Sequence, residues 1–420
     1  MNMQPRFYAL LSVVGILASV QTSQAQLMIP STTNLNDLYQ RPIISGLPQI
    51  VPVSSIEAPT EGESNEQIGF NSLANQRPWS WEAGLTGAWN YNTNIYAQPH
   101  GVADNVLDQS AFLQGTYGAP GAALNVSGRY VLGYNEYLNH SQYDGLTNDL
   151  SLNANWNPSD KTSFTSSLAF VQGRGTSLGA GVQNDTSSLV YNLGGRYMLD
   201  DKFSTGFNAT AESLTEQTGG DYFNGGGSLF VDYQYDPKLR IGLLAGGEYR
   251  TYNGNEIDTN VGVNVNYQPT EKFGMNGSLC LGIRSYSGGS TEYPNVEIGC
   301  IYQPLDGTKI SLSFYNTQDA TFVSNSIQAN TELGFTLGIT QCIVQKVNVN
   351  VYGGYETNTA SSQISYGGSS SGSNALFGGS ITWNIFRRVN ISVYSNALLQ
   401  AYSGSNVNQV ISGVQVAVTF

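Results

Sequence analysis

The feature that most constrains this chain is a period-two alternation of apolar and polar residues, which recurs in segment after segment from Trp81 onward. In 410–420, mostly apolar residues alternate with small or polar ones, and 239–250 and 261–268 repeat the pattern. Successive side chains of a β-strand point to opposite faces of its sheet. Each segment therefore predicts a strand with one apolar face and one small or polar face.

About 18 strands (16–18) are predicted in this way. They cover residues 81–92, 107–117, 122–134, 146–157, 162–172, 187–199, 203–212, 223–235, 239–251, 258–268, 273–285, 293–303, 309–316, 327–339, 346–355, 375–385, 389–397 and 409–420. Short connections alternate with long ones rich in Gly, Ser, Asn and Thr, of which the clearest are 173–186, 316–326 and 356–374. This rhythm predicts antiparallel hairpins joined in series.

The lysines mark the repeat. All six fall at short connections: Lys161, Lys202, Lys238, Lys272, Lys309 and Lys346. A propeller blade has a similar period of about 40 residues, but it holds four strands. Each interval between these lysines holds two long strands, which favours a continuous sheet of hairpins.

Composition and charge placement predict that this sheet lies in a membrane. Charged residues make up only 11% of the chain, against about 25% in typical soluble proteins. A membrane-spanning sheet must close into a barrel, with its apolar face towards lipid. If each strand's apolar face points outward, twelve in-strand charges face the lumen: Glu82, Arg129, Asp149, Arg196, Glu212, Asp232, Arg240, Glu248, Arg250, Arg284, Glu297 and Glu332. The predicted fold is an all-β, closed antiparallel transmembrane barrel with short periplasmic turns and long outer loops.

The chain divides into three parts. Residues 1–25 carry Arg6, an apolar core and the small-residue site Ser23-Gln24-Ala25, the pattern of a secretory signal peptide. Residues 26–78 are rich in proline, which interrupts strands and helices, and predict a flexible periplasmic segment or a plug. Residues 79–420 form the predicted barrel. The export signal and the membrane barrel together predict the bacterial outer membrane, with outer-membrane lipid and lipopolysaccharide as contacts.

Phe420 ends the last alternating segment on its apolar face. This resembles the terminal aromatic residue of bacterial outer-membrane proteins, and the resemblance implies that Phe420 is an assembly signal read by the outer-membrane assembly machinery. Residues 79–420 resemble the beta-barrel porin 2 family in architecture and composition. The shared features are the export signal and the Pro-rich lead that precede these residues and the aromatic-flanked hairpins within them. That resemblance implies fold and location, and it brings no catalytic motif.

Residues suited to catalysis or to cofactors are scarce. The two histidines, His100 and His140, fall in predicted outer loops and are interpreted as solvated. The three cysteines have no CxxC spacing, so no metal site is predicted. The net charge of −13 opposes nucleic-acid binding. We therefore expect no enzyme activity and no cofactor.

The predicted outer loops are acidic. They contain only Arg174 against twelve carboxylates: Asp104, Asp108, Glu136, Asp144, Asp185, Glu216, Asp221, Glu256, Asp258, Glu292, Asp319 and Glu356. An acidic mouth concentrates cations, although surface solubility and divalent-ion bridging of lipids explain the same charges. The sequence favours a porin-like channel for passive diffusion of small hydrophilic solutes. A structural or surface-interaction barrel and a component of polysaccharide export are the alternatives, and the oligomeric state is left open.

Overall fold

The structure is a computed structural model that describes residues 79–420 except 96–99, 119–121, 178–181, 217–219, 252–254, 287–288, 324–325, 345, 362–369, 387 and 403–404. The predicted segments 1–25 and 26–78 therefore lie outside the described residues. The described strands are β1 (Trp79–Asn92), β2 (Asp104–Tyr117), β3 (Leu124–Tyr137), β4 (Gly145–Ser159), β5 (Thr162–Ser177), β6 (Val182–Met198), β7 (Phe203–Glu216), β8 (Gly220–Asp236), β9 (Leu239–Thr251), β10 (Asn255–Thr270), β11 (Phe273–Tyr286), β12 (Gly289–Tyr302), β13 (Thr308–Val323), β14 (Ser326–Val344), β15 (Val347–Ser361), β16 (Ser370–Phe386), β17 (Val389–Tyr402) and β18 (Ser405–Thr419). A single turn of 3-10 helix, Ser141–Tyr143, lies between β3 and β4 in the described chain. No helix among the described residues is both long and apolar enough to cross a membrane.

All strands form one antiparallel sheet in chain order, and the sheet closes because β1 pairs with both β2 and β18. At the closing seam, Gly84 lies opposite Thr419 and Asn92 lies opposite Ile411. Closure leaves the sheet without an edge strand, although the described pairing of β12 with β13 covers only Val296–Tyr302 and Ile310–Asn316. The predicted 18-stranded closed antiparallel barrel is confirmed.

The lysine repeat has a backbone role at the periplasmic rim. The carbonyl of Lys202 accepts a 2.7 Å hydrogen bond from the backbone N–H of Gln234 on the next hairpin. Asp200 fixes the same turn by accepting from the backbone N–H of Lys202 at 2.7 Å, and such bonds hold the pKa of Asp200 below its usual value. Lys309 is the exception to the predicted placement, because it is the second residue of β13. The rim contact recurs at the next turns, where Lys238 accepts from Gln268 and Lys272 from Gln303.

At the outer end, the strands run further than the alternation predicted. Three predicted long loops are mainly β-hairpin, and their connections shrink to 178–181, 324–325 and 362–369. These hairpins are rich in Gly, Ser, Asn and Thr and present no apolar face, because neither face of the sheet contacts lipid beyond the membrane. The backbone hydrogen bonds between strands continue there whatever the side chains are. Alternation therefore predicts the strands only within the lipid-facing band.

The two faces of the sheet differ sharply. Large apolar side chains such as Leu229, Leu243 and Leu281 are exposed on one face, whereas the neighbouring positions on the other face are polar, small or buried. Aromatic side chains ring the exposed face just above the turns, where Trp156 stacks on Phe164 at 5.4 Å between ring centroids. Exposed aromatics also lie further up: Tyr91, Tyr134, Phe223, Tyr249 and Tyr355. An apolar band between two aromatic girdles is the exterior of a transmembrane barrel.

Candidate functional site: the barrel lumen

Strand register determines which side chains face the lumen. Asp258 lies opposite Arg284 and opposite Glu248, so three neighbouring strands present these charges on one face. Following the register around the sheet places all twelve charges of the predicted lumen set on this inner face: Glu82, Arg129, Asp149, Arg196, Glu212, Asp232, Arg240, Glu248, Arg250, Arg284, Glu297 and Glu332.

The predicted acidic loops require correction. Only Asp144 lies in a connection, and the other eleven carboxylates and Arg174 belong to strands. The misplaced carboxylates are Asp104, Asp108, Glu136, Asp185, Glu216, Asp221, Glu256, Asp258, Glu292, Asp319 and Glu356. Five of them are described on the inner face: Asp104, Asp108, Glu256, Asp258 and Glu356. The acidic mouth is therefore built from strands, with five carboxylates on the inner wall and Glu136, Asp185 and Glu292 at outward-facing positions.

Charges on the described inner face fall into two zones. The periplasmic zone, within six residues of the turn end of each strand, holds Glu82, Asp232 and Glu297 against Arg129, Arg196, Arg240 and Lys309. The outer zone, from the tenth residue onward, holds only Arg250 and Arg284 against nine carboxylates: Asp104, Asp108, Asp149, Glu212, Glu248, Glu256, Asp258, Glu332 and Glu356. Among described side chains, the belt between these zones carries no charge. The lumen is thus acidic at its outer end and close to neutral at its periplasmic end.

The two outer arginines converge on one carboxylate. Arg250 Nη1 lies 2.9 Å from Asp258 Oδ2, and Arg284 Nη2 lies 2.9 Å from the same oxygen. Arg250 also contacts Glu248 at 2.8 Å. The Asp258 and Arg284 side chains are only 3% and 1% exposed. Charges buried to this extent persist because they are paired and hydrogen-bonded.

A second charge cluster lies near the periplasmic end. Arg196 Nη2 lies 2.8 Å from Asp232 Oδ2 and also donates to the Ser204 hydroxyl at 2.7 Å. On the adjoining strand, Arg240 donates to Gln234 at 3.0 Å. This cluster is more exposed than the outer one, with the Arg196 side chain 23% accessible.

Tyrosines that lie across glycines form a third lumen feature, which sequence analysis missed. The Tyr315 hydroxyl donates to Glu356, two strands away, at 2.7 Å. The side chain crosses Gly334, where an added Cβ would lie 2.5 Å from the Tyr315 hydroxyl. Two further bridges follow the same arrangement, Tyr352 over Gly378 to Asn396 and Tyr394 over Gly413 to Asn90. Inward parity of Tyr and Gly on adjacent strands is the sequence signal for these bridges, and it identifies them only when the register of both strand pairs is known.

The outer loops also contain more structure than the sequence indicated. His140 was interpreted as a solvated loop histidine, but its Nδ1 lies 2.8 Å from Asp104 Oδ2. The backbone N–H of Asn139 donates to the same carboxylate at 3.2 Å. Ile95 packs beside these residues against the inner-face residues Val106 and Tyr137. Asp104 therefore joins the β3–β4 connection to the outer end of β2.

Part of the inner face is exposed at the level of the apolar band. Asn153, Asn155, Thr165 and Asn192 are exposed although register places them on the inner face. Leu152, on the opposite face beside Asn153, is exposed in the apolar band. Across the described ranges, no group of His, Cys, Asp and Glu side chains is arranged to hold a metal ion.

Location follows from the two faces. A closed sheet with an apolar exterior between aromatic girdles and a polar interior satisfies its backbone internally and meets hydrocarbon with apolar side chains. The protein is a bacterial outer-membrane β-barrel. The outer-membrane barrel matches no protein-family model and no curated protein sequence. Its resemblance to the beta-barrel porin 2 family therefore stays a prediction.

Solved structures similar to this barrel include bacterial outer-membrane proteins. OpdQ of Pseudomonas aeruginosa is 11% identical, with a TM-score of 0.47, over 82% of this chain and 99% of that chain. OpdK of the same organism, solved with vanillate, is 10% identical, with a TM-score of 0.46, over 81% and 99%. OccAB4 of Acinetobacter baumannii is 12% identical, with a TM-score of 0.44, over 82% and 99%. At these identities the likeness concerns the fold alone.

Proposed function

We propose that the barrel is a passive outer-membrane channel for small hydrophilic solutes and that its acidic outer zone makes it favour cations. The observation that carries the proposal is the exposure of Asn153, Asn155, Thr165 and Asn192 on the inner face. Polar side chains that reach water at the depth of the lipid band imply a hydrated lumen.

Barrel size supports the proposal. Strands spaced about 4.8 Å apart give an 18-stranded barrel a backbone radius of at least roughly 14 Å if its section is circular. Side chains extend only part of that distance towards the axis, and barrels of 16–18 strands generally leave an aqueous channel. The uncharged belt between the two charge zones is suited to neutral polar solutes.

The charge zones support a cation preference. An excess of carboxylates at one end of a low-dielectric passage raises the local cation concentration and lowers that of anions. The periplasmic zone has no such excess. Conductance should therefore depend on the direction of the applied voltage as well as on the sign of the ion.

Planar-bilayer recording tests the proposal. We expect stepwise currents, a reversal potential in a KCl gradient that corresponds to a cation-to-anion permeability ratio of about three to ten, and rectification that fades in high salt. Liposome swelling with neutral sugars provides the matched test for uncharged solutes.

The full chain and a variant lacking residues 26–78 are compared in the same assays. Current that appears only in the shorter chain identifies 26–78 as a plug. Folded barrels that pass neither ions nor sugars in both forms would contradict the channel and favour a structural barrel.

A further inference from the structure

Arg240 lies on the inner wall at the periplasmic end of the barrel, as the second residue of β9. Its Nε donates to Gln234 Oε1 at 3.0 Å, and this bond orients the guanidinium group. Among the described residues no carboxylate forms an ion pair with Arg240, and its two terminal nitrogens have no hydrogen-bond partner. The side chain is partly exposed. Arg240 therefore presents a free pair of N–H donors to the lumen.

A second guanidinium group lies close by. Arg196 on β6 reaches across β7 to Asp232 on β8, and Arg240 is on the next strand, β9. The two arginines are near enough for their charges to repel each other. Asp232 is the only described carboxylate in an ion pair with either of them. This part of the wall therefore carries a local excess of one positive charge.

The arginine pair is accessible and held in position. The Arg196 side chain is 23% exposed, and Arg196 is the third residue from the end of β6. Both arginines are thus close to the periplasmic mouth, where an ion reaches them without crossing the lumen. Arg196 is fixed by its 2.7 Å hydrogen bond to the Ser204 hydroxyl, as Arg240 is by Gln234. A bound anion would relieve the repulsion between two charges that cannot move far apart.

We propose that Arg240, supported by the charge of Arg196, forms a carboxylate-binding site at the periplasmic mouth of the lumen. A carboxylate offers two oxygens to parallel N–H donors of a guanidinium group, which suits the free terminal nitrogens of Arg240. Its single negative charge equals the local excess, whereas Asp232 would repel the second charge of a dianion. This inference goes beyond the proposed function, because binding at the site does not require the barrel to conduct.

The carboxylate can come from a solute or from the chain itself. The segment before β1 contains Glu57, Glu61, Glu63 and Glu66, and β1 begins at Trp79 at the periplasmic end. The thirteen residues from Glu66 to Trp79 span up to roughly 43 Å when extended. The barrel is roughly 28 Å across, so these glutamates are able to reach the site. Truncation of the segment distinguishes the two sources.

Titration with trifluoroacetate tests the site, with the fluorine NMR line width as the readout. The full chain and the variant lacking residues 26–78 are each purified in detergent as folded barrels and titrated at low salt. Binding by both forms supports a site for solutes. Binding by the shorter form alone supports a site that the chain's own glutamates occupy. Absence of binding in both forms would overturn the proposal, whether or not the barrel conducts.

Arg240→Gln and Lys309→Gln are the matched variants, made in the form that binds the probe. Each removes one positive charge from the inner face of the periplasmic zone, but Lys309 has no described ion pair or side-chain hydrogen bond and no guanidinium fork. We expect R240Q to weaken binding at least about fivefold and K309Q less than about 1.5-fold. Equal losses would overturn the site, because the general charge of the zone would then account for the binding.

Arg240→Lys covers the case in which R240Q does not fold. This variant keeps the positive charge at the same position but loses the pair of parallel N–H donors, so we expect it to weaken binding about threefold. R240K that binds trifluoroacetate as tightly as the unmodified barrel would contradict a site built on the guanidinium group of Arg240.

Discussion

Arginine in place of Leu243 is expected to destabilise the membrane-inserted barrel by about 2–4 kcal/mol. The Leu243 side chain is 64% exposed on the outer face of β9 and lies in the apolar band, so the new charge would meet hydrocarbon. The native Arg240 and Arg250 lie three and seven positions from it on the same strand, and this odd offset points them into the lumen. Urea titration of the barrel in lipid vesicles, followed by tryptophan fluorescence, gives the free energy of unfolding.

The matched control is Asn153→Arg, which adds the same side chain to an exposed position on the inner face. In the hydrated lumen that we propose, water would solvate that charge, so its cost should stay below about 1 kcal/mol. Equal costs for the two variants would mean that the assignment of faces is wrong, because the assignment depends on lipid lying on one side only.

Alternation predicted the barrel because the face of every strand that contacts lipid must carry apolar side chains. In β18, Val414, Val416 and Val418 face outward, and Gly413, Gln415 and Ala417 face the lumen, in the predicted parity. A slip of one residue would turn every apolar side chain of the strand into the lumen. Register is therefore encoded in the amino-acid pattern wherever the strand meets lipid.

Outside the lipid neither face of a strand has to be apolar, and the sequence no longer indicates where strands end. Asp258 illustrates the consequence. It is the fourth residue of β10, whereas the predicted strand 258–268 begins at it and Asp258 was also assigned to the acidic outer loops. Only the pairing of β9, β10 and β11 brings it between Arg250 and Arg284, which are 8 and 26 residues away in sequence. Contacts across strands depend on register at the outer end, where alternation gives no information.

The tyrosine bridges were hidden for a different reason. A glycine inside a strand ordinarily indicates a bulge or a close approach of another backbone. At Gly334 the absence of a side chain leaves room for the Tyr315 ring from β13. Tyr315 thereby reaches Glu356 on β15. A three-strand contact of this kind appears in the sequence only after the register of both pairs is known.

Substitution of Gly334 by alanine is expected to destabilise the barrel by about 3 kcal/mol. The new Cβ would lie 2.5 Å from Tyr315 Cζ and would push the ring off the wall. Overpacking of this kind costs about 1–3 kcal/mol, and loss of the hydrogen bond to a buried carboxylate costs about 1.5–3 kcal/mol. The expected cost lies below the upper end of the sum of these two ranges because the Tyr315 ring can relax partly towards the lumen.

Gly338→Ala is the control on the same face of β14, because an added Cβ there meets only the Ser311 hydroxyl, at 2.8 Å. That hydroxyl can rotate away, so the cost should stay below about 1 kcal/mol. A double-mutant cycle with Tyr315→Ser isolates the bridge, since G334A should cost little once the ring is gone, which leaves a coupling of about 2 kcal/mol. The same cost for G334A with and without the Tyr315 ring would show that backbone strain, and not the tyrosine bridge, sets the requirement for glycine.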